Sequence, residues 1–204
     1  MKTDISPSLW RFINLLHDAV EGKDEYTVAH QISVSSLAKA IGRSMSLTQN
    51  EIDCLDTCGL LHDVGKVVVP DEILLKPGKL TKDEYTVIKE HANAGREMLD
   101  FISFPWDVAE ICGQHHERLN GSGYPNGLSS DSILFEAKII AVADVVHSMM
   151  LPRPYRDGLG EELALNEIEK NASELYDKEV VEHCLKIFRE GLINPQSKYF
   201  TGKR

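Results

Sequence analysis

No apolar run in this chain approaches the roughly 20 residues a membrane span needs. The first residues, MKTDISPSLWRF, also lack the apolar stretch of a secretory signal, so the chain reads as cytoplasmic. Positive charge is scarce as well: 22 Lys and Arg stand against 32 Asp and Glu, a net charge of −10. That leaves no broad cationic face for a nucleic-acid polymer as the main partner, although a small anion could still be held locally. The four cysteines, Cys54, Cys58, Cys112 and Cys184, form no CxxC pair, which argues against a zinc knuckle or a disulfide framework. They are expected as buried thiols. Internal repeats, low-complexity tracts and long linkers are missing, and no alternating stretch is long enough to build a sheet.

What remains is helical periodicity on a chain whose 42% hydrophobic residues suffice for a real core. Thr48-Gln-Asn-Glu51 and Thr81-Lys-Asp-Glu84 have the capping-box form, so helices should begin at about 49 and 82. The first should run to near Gly65, followed by an extended link over Val67–Pro70 and a turn at Pro77-Gly78. Further helices are predicted at about 8–21, 25–41, 105–118, 136–150, 161–171 and 178–190, with Gly42 and Gly191 as stops. The fold class is all-α.

The apolar stripes of these helices carry residues that do not belong there. After Thr48 the stripe runs Ile52, Leu55, Gly59 and then His62, with Asp63 directly behind it. After Thr81 it runs Ile88, His91, Gly95, Met98, and Val108, Ile111 or Cys112 lead to His115, with His116 at the edge. Leu134, Ala137 and Ile140 or Ala141 lead to Asp144, and His30 continues the pattern more loosely on the helix of Leu37 and Ile41. Burying unpaired imidazoles and carboxylates costs several kcal/mol each on the order given for isolated polar and charged groups. Two arrangements would remove that cost. The histidines could each bond a backbone carbonyl in the core, or they could converge with the carboxylates on a two-metal site of iron, manganese or a similar ion. Such paired ions serve phosphate-ester hydrolysis.

HDVGK at 62–66, PDEILLKPGKLTKDEYTVIKEHANAG at 70–95, HHERLNGSGYP at 115–125 and AVADVVHSMMLPRPYR at 141–156 closely resemble the HD-GYP subgroup of HD-domain phosphohydrolases. The resemblance spans about 24–190, leaving 1–23 as a helix leading into the domain and 191–204 as a tail. It implies an HD-domain helical core with an added C-terminal helical hairpin. It also implies a phosphodiesterase that opens cyclic di-GMP, ending at linear pGpG or at GMP, using two divalent ions and a bridging hydroxide. By this resemblance His30, His62, Asp63 and Asp144 hold one metal and His91, His115 and His116 the other, with Asp63 bridging. Tyr26 stands where some members place a glutamate for a third metal, so two are expected. Lys66 matches the lysine that holds the scissile phosphate. Asp24, Tyr124, Arg153 and Arg156 match substrate contacts. Alternatives are a hydrolase of cyclic GMP-AMP, or a low-activity module whose Gly-Tyr-Pro face docks a GGDEF diguanylate cyclase domain.

Three places depart from the subgroup's pattern. Asn120 stands where an aspartate is frequent, which removes a charge but can keep the turn's hydrogen bonds. His147 and Ser148 replace an acidic residue and an alanine, and RDGLG replaces a common proline after the last arginine. None removes a proposed ligand; they bear on the shape of the substrate pocket.

Overall fold

The computed structural model describes residues 6–21, 25–150 and 158–193, with the side chains of 17–21 and 25–28 outside the description. Nine α-helices occur among these residues: α1 (Pro7–Glu21), α2 (Glu25–Ser44), α3 (Gln49–Leu61), α4 (Asp71–Leu74), α5 (Lys82–Asp100), α6 (Val108–Gln114), α7 (Phe135–Met150), α8 (Glu161–Lys170) and α9 (Lys178–Arg189). No strand forms among the described residues; the only extended pairings there are single bridges, Asn120 with Ser129 and Ala172 with Tyr176. No described helix is long and apolar enough to cross a membrane. All four cysteines are buried and free.

Both capping boxes form. The Thr48 amide donates to Glu51 Oε2 at 2.7 Å while Thr48 Oγ1 accepts from the Glu51 amide, and Thr81 and Glu84 repeat the exchange. Gly191, at φ 63°, ends α9 in a left-handed turn that returns the Gly191 and Leu192 amides to Phe188 and Ile187. Gly42 does not stop α2, which continues to Ser44. A Cβ there would lie 2.8 Å from Ile52 and Leu55, so this glycine serves the approach of α2 to α3. The helix predicted over 105–118 is shorter, 108–114, because Pro105 and Trp106 lie in the preceding turn and the Glu117 amide bonds back only three residues.

The other difference bears on the site. α3 ends at Leu61, four residues before Gly65, and a 3-10 segment, Val64–Val68, replaces the expected continuation. Of the predicted link, Val69 and Pro70 are extended, whereas Val67 and Val68 belong to the 3-10 turn. In a 3-10 turn residues three apart eclipse one another, so Asp63 and Lys66 share one side. Gly65 is pressed against the His91 carbonyl and the Gly95 amide with no room for a side chain, which joins this segment to α5.

Helix α7 is the centre of the assembly. Ala137, Ile139, Ile140, Val142, Ala143 and Val146 are fully buried over most of its circumference, as in a helix enclosed by others, and Asp144 and His147 are the polar residues buried among them. It touches α2, α3, α6, α8 and α9. The hairpin α8–α9 packs on it, with Ala164 and Ile168 from one arm and Val180, Val181 and Cys184 from the other. Ile13 of α1 is buried in the same core.

Candidate metal centre

The polar residues of the apolar stripes do face inward. His30, His62, Asp63, His91, His115 and Asp144 are all buried, and His116 is half-buried beside them. α2 supplies His30, the end of α3 supplies His62 and Asp63, α5 supplies His91, the end of α6 supplies His115 and His116, and α7 supplies Asp144.

Three of the imidazoles are set by one local device. The Nδ1–H of His62 donates to the Gly59 carbonyl at 2.9 Å, that of His91 to Ile88 at 2.7 Å and that of His115 to Cys112 at 2.5 Å, each three residues back. With the proton on Nδ1, the Nε2 lone pair points away from the helix. The backbone-carbonyl arrangement considered from sequence therefore holds for one nitrogen of each ring. The other nitrogens converge: His91 Nε2 and His115 Nε2 stand 3.4 Å apart.

Asp63 sits at the meeting point. Its Oδ2 is 3.3 Å from His62 Nε2 and 3.7 Å from His30 Nε2, while its Oδ1 is 3.3 Å from His91 Nε2 and 4.0 Å from His115 Nε2. Asp144 lies across from it, with Oδ1 3.1 Å from His30 Nε2 and Oδ2 3.9 Å from His116 Nδ1. The donor atoms fall into two groups that could each hold an ion: Asp63, His91, His115 and His116, and then His30, His62 and Asp144.

Electrostatics favours the forms that ligate. Burial pushes His30, His91 and His116 below the usual imidazole value and takes His115 down to about 3, helped by His62 and His91, so these rings stay neutral. Burial alone would raise Asp63, but Lys66 and His62 outweigh it and hold the carboxyl well below its ordinary range. Asp144 is held down likewise, chiefly by His30, whose Nε2 lies 3.1 Å from its Oδ1. His62 alone is raised, because Asp63 outweighs its burial. Its Nε2 is buried without a hydrogen-bond partner. Converging imidazole lone pairs, two anionic carboxylates and that nitrogen fit divalent transition-metal ions, whose ligands are imidazole nitrogen and carboxylate oxygen.

Around this centre, Lys66 Nζ reaches Asp63 Oδ2 at 2.5 Å. Tyr124 stacks on His116 with ring centroids 4.6 Å apart and meets His91 edge-on. Lys89 lies over the Tyr124 and Tyr85 rings, a neighbourhood the sequence did not signal. The loop that carries Tyr124 is pinned by Glu117, which sequence reasoning passed over. Its buried carboxylate accepts the Asn126 amide at 2.7 Å and the Leu128 amide at 2.9 Å. The available signal was an acidic residue right after two inward histidines and before a loop whose amides need acceptors. Asn120 keeps its turn bond, accepting from the Ser122 amide. Asp24, Arg153 and Arg156 lie outside the described residues, as does the Tyr26 side chain.

Residues 13–180 match the family described as HD domain. The chain is 37% identical over 176 residues to the cyclic di-GMP phosphodiesterase response regulator RpfG of Xanthomonas campestris, covering 85% of this chain and 47% of that protein. It is 38% identical over 154 residues to 3'3'-cGAMP-specific phosphodiesterase 1 of Vibrio cholerae, covering 76% of this chain and 35% of that protein. It thus spans less than half the length of either relative. Among solved structures, Bd1817, an HDG"Y"P protein from Bdellovibrio bacteriovorus, shares the fold with a TM-score of 0.66 at 21% identity, over 78% of this chain and 51% of that one. With the metal-competent residues assembled around one centre, the chain belongs to the HD domain family, and its motifs resemble those of the HD-GYP subgroup.

Proposed function

We propose that the chain is a metal-dependent phosphodiesterase that opens cyclic di-GMP, with linear pGpG or GMP as the end product. The observation that carries the reading is the convergence of five imidazoles and two carboxylates from five helices on one buried point. His30, His62, Asp63 and Asp144 would hold one divalent ion and His91, His115 and His116 the other, with the two oxygens of Asp63 divided between them. Iron is the first expectation and manganese the second. Such a pair supplies charge stabilisation to the reacting phosphate and lowers the pKa of water. The protein's part is orientation and charge. Lys66, partly exposed beside Asp63, would neutralise a phosphate oxygen, and Tyr124 would form a wall against the nucleotide. Asp24, Arg153 and Arg156 would contact the dinucleotide from the segments that flank the site in sequence. The functional unit would be 24–190, led by 1–23 and followed by the tail 191–204, working in the cytoplasm and within reach of a GGDEF diguanylate cyclase domain.

The test is hydrolysis of cyclic di-GMP by protein purified without oxygen and loaded with ferrous iron or manganese, run beside Asp63→Ala. Metal-dependent turnover that disappears in the variant is expected, with metal retention lost alongside it. An Asp63→Ala protein of undiminished activity would sink the reading. A second substrate, 3'3'-cyclic GMP-AMP, is motivated by the Vibrio relative's name, and side-by-side turnover of the two dinucleotides separates them.

A further inference from the structure

His30 is oriented differently from the other buried histidines of the centre. It lies in the second turn of α2, and its Nδ1 meets His147 Nδ1 of α7 at 2.8 Å, with both rings fully enclosed. The two rings are tilted by 37° with centroids 5.0 Å apart, so the contact is made edge to edge through the nitrogens. One residue further on, Ser148 Oγ donates to Asp144 Oδ1 at 2.9 Å. His147 and Ser148 are among the positions where the sequence departs from the subgroup it resembles. They therefore bear on the residues that orient His30 and Asp144.

We infer that His147 is a positioning residue which fixes the orientation and tautomer of His30, so that His30 Nε2 faces the metal centre. The inference rests on the reading of His30 as a metal ligand. For Nε2 to offer its lone pair, His30 must carry its proton on Nδ1, and that N–H needs an acceptor. At His62, His91 and His115 the acceptor is a carbonyl of the same helix. At His30 it is the Nδ1 lone pair of His147, which places the proton of His147 on its other nitrogen. An imidazole brings no net negative charge, so it orients His30 without the added basicity that a carboxylate would confer.

Two substitutions separate this role from packing. His147→Phe keeps the ring volume and removes the acceptor, whereas His147→Asn places a carbonyl oxygen where Nδ1 stood. The measurement is the number and affinity of Mn²⁺ ions bound to the full chain, with Mn²⁺ alone as the probe and far-UV circular dichroism reporting the fold. Two ions are expected on the parent chain. In His147→Phe, one of the two should bind about 10- to 100-fold more weakly, while the other is unchanged. In His147→Asn, most of the lost affinity should return. Two ions at parental affinity in His147→Phe overturn the inference. So does an Asn variant, folded, that binds as poorly as Phe. If the Phe variant does not fold, the Asn variant decides alone: near-parental binding supports the role and loss of one ion defeats it. A parent chain that binds no Mn²⁺ removes the metal reading itself, and the inference with it.

Discussion

The residues proposed as ligands of this centre are held in two ways, and the contrast follows the helices that bear them. His62, His91 and His115 are oriented by carbonyls of their own helices, three residues back, so forming the helix already aims the ring. His30 and Asp144 are aimed by side chains of α7: His147 for the first and Ser148 for the second. For His30 the partner comes from another helix 117 residues away, so its aim depends on how α2 and α7 pack. Backbone-held ligands need only their helices in the right places. Side-chain-held ones need a specific residue as well.

The backbone-held side should break at the place where its segments touch. Gly65→Ala would drive a methyl group into the His91 carbonyl and the Gly95 amide, and neither is a flexible chain end that can swing aside. Either α5 moves off the 3-10 segment or the segment unwinds, and both separate Asp63 from His91. Overpacking of this kind costs about 1–3 kcal/mol. At about 2–4 °C per kcal/mol for a chain of this size, the melting temperature should fall by several degrees. Metal binding should fall more than stability does. Unchanged Mn²⁺ affinity in a Gly65→Ala protein would mean that the contact between these segments does not set the ligands.

This division also explains how far the sequence could be read. The stripes Ile52–Leu55–Gly59–His62 and Ile88–His91–Gly95 followed from helical period alone, and the capping boxes at Thr48 and Thr81 placed both helix starts. Gly65 misled because a glycine after a helical run reads as its stop, whereas the helix closes at Leu61 and the glycine is spent on the contact with α5. Gly42 misled in the same way. His147 was visible only as a departure from a pattern. Its meaning lay in a pairing with His30 that no local period encodes. Glu117 acts through amides nine and eleven residues ahead, which depends on the path of a loop.

On the side-chain-held side, Ser148→Ala sharpens the comparison with a smaller change. It removes the hydroxyl that donates to Asp144 Oδ1 and leaves the helix and the His30 contact in place. A hydrogen bond to a charged group is worth about 1.5–3 kcal/mol, and part of this is recovered when Asp144 turns toward other donors. Mn²⁺ affinity should drop by about tenfold, the equivalent of the lower end of that range. Titration of the metal into the variant measures it. A change as large as that of Gly65→Ala would erase the distinction between the two sets of ligands.

The smallest effect should come from Thr48→Ala, at the far end of the helix that carries His62. The substitution removes one half of the capping box and leaves the Thr48 amide with its bond to Glu51. Loss of such a cap costs about 1 kcal/mol, or about 2–4 °C in melting temperature. The Glu51 carboxyl is held below its ordinary value chiefly by the Thr48 hydroxyl, so the box contributes fully above the unfolded carboxylate pKa and is lost as pH falls through the folded one. The gap in stability between parent and variant should therefore narrow as the solution is acidified through that window, down to the share carried by the Glu51 amide bond, which does not titrate. Mn²⁺ affinity at neutral pH should not move, because His62 takes its orientation from Gly59 at the other end of α3, thirteen residues long. Thermal melts across pH with a parallel metal titration test both halves. A cap that changed metal affinity would show that even the backbone-held ligands depend on their whole helix and not on its last turn.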